Sequence, residues 1–247
     1  MAKQFVLNVF LFLVILVLWY LAVAWGWVNA YILPSPLKVF DAFQSSLKNG
    51  EILEHIFGSL FRVGVGFLLA FATALPLGLA IGRISIVRKL IFPILNFLRP
   101  IPPIAWIPLT ILWLGLGNGP AFFLTTLAAF FPILINTVAG VEQVSYQHLQ
   151  AARCFGVKRS QVFWHILIPS SLPYIISGCR TGFGFAWMAV VAAEMIATRS
   201  GLGQLIFTAQ DLLRLDRVLM GMLVIGLIGL VIDSLFFKLR NKLLKWE

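Results

Sequence analysis

Residues 150–169 read QAARCFGVKRSQVFWHILIP, a stretch with apolar positions at helical spacing but with Arg153, Lys158 and Arg159 among them, too polar to cross a bilayer. It lies inside a connection, Glu142 to Ser171, of about 30 residues, far longer than the usual link between packed helices. Val144, His148, Ala151, Ala152 and Phe155 recur at helical spacing. Gly156 supplies a break of the kind found at helix ends, and Val162, Phe163 and Ile166 form a second apolar stripe ahead of Pro169. The spacing predicts two short helices joined at a glycine. Their apolar and basic groups need a cover. That cover is either a protein partner or an anionic membrane surface held by the three basic residues.

The flanks of this stretch are of a different character. A bilayer core of about 30 Å needs ~20 helical residues, and six runs are apolar enough to supply them. They are Phe5 to Val28, about Val63 to Gly82, a span within Leu90 to Leu116, about Ala121 to Val141, about Leu172 to Ala197, and Val218 to Phe237. The whole composition agrees. Of 247 residues, 60% are apolar and only 11% charged, and the mean hydropathy is +0.96. A soluble domain carries roughly 25% charged residues, so most of this surface faces lipid.

The net charge of +10 does not indicate a nucleic-acid partner, because the Lys and Arg residues fall in short clusters between apolar runs rather than on one basic face. Cys154 and Cys179 have neither a CxxC spacing nor a nearby histidine, which predicts no metal site and no disulfide framework. The first apolar run, at ~24 residues, exceeds the 7 to 15 of a signal peptide and is expected to span. Lys3, Arg83, Arg88, Lys89, Arg99, Arg153, Lys158, Arg159, Lys238, Arg240, Lys242 and Lys245 fall on one side of these spans. The other side holds only Lys38, Lys48, Arg199, Arg214 and Arg217. The imbalance predicts both termini in the cytoplasm.

Pro100, Pro102, Pro103 and Pro108 crowd the third span, which predicts a kinked or broken helix. Broken spans line translocation pathways in some membrane proteins and merely shape packing in others. Gly78 with Gly82, and Gly178 with Gly182, each form a G-x-x-x-G pair suited to close helix approach, within the chain or between copies.

Gln150-Ala151-Ala152, three residues, Gly156, nine residues and Ile166-Leu167-Ile168-Pro169 together resemble the EAA loop of ATP-binding-cassette (ABC) importer permeases: E-A-A, three residues, G, nine residues, I-x-L-P. Gln150 stands where the family has Glu, which removes a charge, and Ile168 stands where it has Leu. Ile32-Leu33-Pro34-Ser35-Pro36, the run Arg99 to Leu109, and Val191-Ala192-Ala193-Glu194-Met195-Ile196 look like the subfamily that imports taurine, alkanesulfonates, nitrate or bicarbonate. The resemblance implies an all-α integral membrane protein of the type I importer kind. Residues 1–247 would form a single permease domain, with a coupling-helix loop at about 142–171. ATPase docking would fall on Gln150, Ala151, Ala152, Gly156, Ile166 and Pro169. It further implies a bacterial inner-membrane location, a second copy of the chain, cytoplasmic ATP-binding subunits carrying ATP and Mg, and an external substrate-binding protein. That binding protein would meet Tyr31 to Glu54 and Arg199 to Arg217. No cofactor is expected in the chain itself.

The residues also speak directly to mechanism. No G-x-x-x-x-G-K-[ST] phosphate loop occurs, so the energy of ATP must come from another subunit. Charges within spans are costly, which marks Arg180, Glu194 and Asp233. Arg180 and Glu194 stand about 21 Å apart along one helix and cannot pair. Arg180, Glu194, Trp106 and Trp187 are candidates for the translocation pathway. The alternatives are an outer-loop basic partner for Glu194 and packing for the two tryptophans; Asp233 is expected to pair with Lys238 or Arg240. An unpaired Glu194 in the wall would repel an anion. The competing functions are a permease for a neutral vitamin precursor, or a self-sufficient secondary transporter or channel. A membrane enzyme is disfavoured because His55, His148 and His165 form no catalytic grouping.

Overall fold

An apolar run in lipid must satisfy its backbone internally, and a helix is the structure that does so within one segment. The computed structural model describes residues 2–29 and 31–244, and within its helices the side chains of all but residues 2–6, 8, 9, 12, 146, 148, 149, 153 and 159. It is all-helical, with no strand among the described residues. In chain order, α1 covers Ala2–Ala24, α2 Pro36–Lys48, α3 Glu51–Arg83 and α4 Ser85–Leu98. A 3-10 turn at Pro103–Trp106 leads into α5 (Ile107–Leu114). Then follow α6 (Asn118–Glu142), α7 (Tyr146–Cys154), α8 (Arg159–Val162), a π-helical stretch Phe163–Leu167, α9 (Ile168–Ala197), α10 (Leu202–Asp211) and α11 (Leu215–Leu243).

Four described helical segments are long and apolar enough to cross a membrane: α3, α6, Ser160–Ala197 and α11. The pair α4 and Pro103–Leu114, bent by 85°, makes a fifth when taken together. The sequence predicts six. The expected first span falls on α1, whose backbone helix has 23 residues but whose described apolar portion, Leu13–Ala24, is shorter than a crossing. Phe5, Val6, Asn8, Val9 and Phe12 lie outside the residues whose side chains are described.

The expected break in the third span is present. Pro102 sits in extended backbone, Pro103 opens the 3-10 turn, and α5 ends at Gly115 with φ 72°. The second span is longer than its apolar run, because α3 begins at Glu51, ahead of Glu54, His55 and Arg62. Two helices absent from the sequence reading appear in the connections. One is α2, opened by Pro36, with the Ser35 hydroxyl accepting the Lys38 N–H at 3.4 Å; the other is α10.

Helix α6 is the centre of the molecule, packed between α3 and α9. Both glycine pairs turn out to serve this packing within the chain. A side chain at Gly78 or Gly82 would strike Thr137 or Val141, and one at Gly178 or Gly182 would strike Asn136 or Ile133. The buried apolar core follows the same contacts, with Ala70, Ala74 and Ile81 of α3, Ile133 and Leu134 of α6, and Ala186 and Val190 of α9.

Candidate functional site

Three features stand out: a cavity at mid-depth, an ion-pair network at one end, and the long connection at the other. The cavity has a volume of about 490 Å³ and lies where the proline break faces α6 and α9. The break supplies Arg99 and Ile101 to Ile104, α6 supplies residues from Leu124 to Asn136, and α9 supplies residues from Thr181 to Ala192. On α6 the wall begins 6 and ends 18 residues past the first helical position, roughly 9 to 27 Å along the axis. It therefore occupies the interior of the span rather than either rim. Most of the wall is apolar, and its polar side chains are Arg99, Asn136 and Thr181.

None of the four sequence candidates lies on that wall. Trp106 is next to it, with its ring 6.3 Å from Phe123 and its indole N–H buried without a partner. Trp187 turns the other way, packs in the core and donates from Nε1 to the Ile225 carbonyl at 3.2 Å. Arg180, also on the α11 side, holds Asp233 in a two-pronged pair at 2.6 and 2.7 Å beside a small hollow of about 50 Å³. That corrects the pairing expected for Asp233 one or two turns along its own helix. A residue one position on from Arg180 faces the cavity, and the 100° step between successive helical residues separates the two roles.

Glu194 is fully buried, with 0% of its side chain exposed, because three donors enclose it. Arg62 Nη1 donates to Oε1 at 2.8 Å, and Oε2 accepts from Ser59 Oγ at 2.8 Å and from the Gly203 N–H at 3.0 Å. Arg62 spends its other donors on the Asn118 side chain at 2.7 Å and on the carbonyl and hydroxyl of Ser200, each at 2.8 Å. His55 Nδ1 accepts the Gly201 N–H at 2.9 Å, and Gly117 N–H donates to the Ala197 carbonyl at 2.7 Å. The network thus ties α3, the start of α6, the end of α9 and the turn into α10 at one point. The sequence reading expected Arg199 or another outer-loop basic residue as partner. It missed Arg62, whose signal was a lone guanidinium in an apolar helix, needing a buried anion.

At the opposite end the connection forms α7, a turn and α8. The turn is at Gly156, with φ 67°, and Val157 N–H donates to the Ala152 carbonyl at 3.0 Å, the six-to-one bond of a Schellman end. The second helix is not short as expected: α8 runs through the π-helical stretch into α9 without a break, giving one helix of 38 residues, Ser160–Ala197. Gln150, Ala151 and Pro169 are exposed, Ala152 is buried, and half-buried Ile166 packs on Val141, Val144 and Leu167. Phe155 and Trp164 project outward, 85% and 65% exposed. The stripe residue His148 lies outside the residues whose side chains are described. No group of acidic, histidine or cysteine side chains among the described residues is arranged to hold a metal ion.

Comparison with known proteins adds an independent line. Residues 66–245 match the family described as binding-protein-dependent transport system inner membrane component. A protein of Methanocaldococcus jannaschii named as an ABC transporter permease is 41% identical, over 99% of this chain and 93% of its own length. The taurine transport system permease protein TauC of Escherichia coli is 32% identical over 100% of this chain and 92% of its own. The nitrate import permease protein NrtB of Synechocystis is 34% identical over 81% and 76%. Among solved structures, an inward-facing MetNI methionine ABC transporter chain superimposes with a TM-score of 0.68 at 18% identity, covering 78% of this chain and 96% of that one, a likeness of fold.

Proposed function

Given that the chain belongs to the family of binding-protein-dependent transport system inner membrane components, and so is a transmembrane permease subunit of an ABC transporter with ATP hydrolysis left to separate subunits, we propose that it carries a small oxyanion through the cavity beside the proline break. Taurine, an alkanesulfonate, nitrate or bicarbonate fits this reading. The relatives named for taurine, sulfonates and nitrate support it. The observation that carries it is the position of Glu194. The one carboxylate of the expected pathway is neutralised by Arg62 and withdrawn from the cavity, so the wall has no negative side chain to repel an anion.

In this reading residues 1–247 form one permease domain, and a second copy completes the pathway on a two-fold axis. Both termini and the connection at 142–171 lie in the cytoplasm, and the Arg62–Glu194 end faces outward beneath an external binding protein. Gln150, Ala151, Ala152, Gly156, Ile166 and Pro169 belong to the segment that docks on the ATPase, which carries ATP and Mg. Closure of two ATPase subunits moves the docked segments together, and helices packed as tightly as α3, α6 and α9 transmit that motion as rigid bodies. A Cβ at Gly78 would come within 2.8 Å of Thr137, so the pair has no room to slide by compression.

The test is uptake into proteoliposomes holding the permease, its ATPase and its binding protein, offered taurine, ethanesulfonate, nitrate, bicarbonate or a neutral aminopyrimidine. ATP-dependent accumulation of one of the oxyanions is expected, with none by the permease alone. Accumulation of the aminopyrimidine only, or transport without nucleotide, overturns the reading.

A further inference from the structure

Arg99 is the last residue before the proline break, continuing α4 with its N–H on the Leu95 carbonyl at 2.9 Å, and its side chain helps line the cavity. Every described carboxylate in an ion pair is bound to another cation: Glu51 to Arg217, Glu142 to Arg88, Glu194 to Arg62, Asp216 to Arg214 and Asp233 to Arg180. Arg99 has no such partner among the described residues. Arg99 is exposed, in the break between the two halves of the bent span and on the cavity wall, so its charge is open to an anion that enters. Its surroundings favour one. The remaining polar side chains of the wall are neutral, and both can donate: the Thr181 hydroxyl, and Asn136, whose Nδ2 spends one hydrogen on the Pro132 carbonyl at 2.8 Å and keeps the other. The volume of about 490 Å³ admits a small sulfonate or nitrate with several waters, each taking ~30 Å³.

We propose that Arg99 is the charge-selecting residue of the pathway, its planar fork receiving two oxygens of a monovalent oxyanion while Thr181 and Asn136 donate to the rest of the head group. This rests on the oxyanion reading above and adds to it where selection in the membrane takes place. A guanidinium matches two oxygens of a sulfonate or nitrate at once, whereas an ammonium offers only a point charge. Replacement by lysine therefore retains attraction and loses geometry.

The experiment is uptake of taurine and of nitrate by the reconstituted complex carrying R99Q, R99K, R99C or T181V. R99Q is expected to lower the uptake rate per ATP hydrolysed about ten- to a hundredfold, the range for loss of one charge-assisted hydrogen bond, with R99K falling less. R99C is then treated with a trimethylammonium-ethyl or a sulfonatoethyl thiosulfonate reagent, against the unsubstituted chain given the same reagents to account for Cys154. Restoration by the cationic reagent alone supports the proposal. Equal effects of both reagents overturn it, as does R99Q uptake at the unsubstituted rate, or a fall in uptake matched by an equal loss of ATPase subunit from the complex. If the unsubstituted complex accumulates only the neutral aminopyrimidine, the oxyanion reading itself falls. If it accumulates taurine or nitrate and R99Q does so equally, only the assignment to Arg99 falls.

Discussion

Replacing Glu194 by Gln keeps the shape of the side chain and removes its charge at the point where four segments meet. Three donors aim at its two oxygens: Arg62 at one, Ser59 and Gly203 at the other. An amide has a single oxygen. Whichever way it lies, its NH2 faces either the guanidinium or the Gly203 N–H, donor against donor. Arg62 keeps Asn118 and Ser200 as acceptors but loses its counter-ion while 6% exposed. Removing one member of a buried pair costs about 3–5 kcal/mol. For a chain of 247 residues, about 2–4 °C of unfolding temperature per kcal/mol gives a fall of roughly 6–20 °C. Intrinsic tryptophan fluorescence of the detergent-solubilised protein during heating reads this directly. R214Q is the control, since its pair with Asp216 at 2.7 Å is half exposed and worth about 0–1 kcal/mol. The double variant R62M/E194L should lose less than the sum of its singles, because no lone charge is left behind. A fall in E194Q no larger than in R214Q, or strict additivity in the double variant, would refute the reasoning.

Further outcomes follow from the packing and the exposed loop. G78V forces a side chain against Thr137 and should cost about 1–3 kcal/mol by overpacking, whereas G226V meets open space and should leave the heating profile within a few degrees. G156L places a side chain at φ 67°, a conformation costing about 1–2 kcal/mol. The spans should still insert, but the ATPase should no longer co-purify and uptake should cease. F155S and W164S remove exposed apolar groups, so the unfolding temperature should hardly move, while retention of the ATPase subunit falls about tenfold or more if they anchor the interface. Unchanged retention in both would remove these side chains from the docking surface.

Much of this architecture is legible because lipid leaves few options. Runs such as Ala121 to Val141 have to be helices, and the four prolines between Arg99 and Leu109 have to interrupt one. The connection at 142–171 stands out for the converse reason, since a segment carrying Arg153, Lys158 and Arg159 is too polar to read as a span. What escapes is whatever depends on contacts between distant segments. Arg62 and Glu194 are 132 residues apart, and nothing local in either helix names the other. The start of α3 escapes because Glu51, Glu54, His55 and Arg62 interrupt the apolar pattern, so the readable run opens at about Val63, roughly three turns after the helix begins. The cavity wall is missed for a geometric reason. Scanning for charges and tryptophans inside spans selects Arg180 and Trp187, which face α11. The α9 side chains that face the hollow, such as Thr181, Phe185 and Ala192, are uncharged and include no tryptophan, so that scan passes over them.

The unbroken helix from Ser160 to Ala197 is about 57 Å long at ~1.5 Å per residue. Trp164 is near its first turn, Thr181 to Ala192 lie along its second half, and Glu194 is in its last turn. A push or twist at one tip is therefore felt at the hollow and at the clasp beyond it by the same rod, with no relay of separate parts. The irregular collar of this rod is the π-helical stretch at Phe163–Leu167, followed by Pro169 and Pro173, which donate no backbone hydrogen bond. Stiffening that collar would tie the Trp164 end more firmly to the rest of the shaft, and loosening it further would let that end turn while the remainder stayed still.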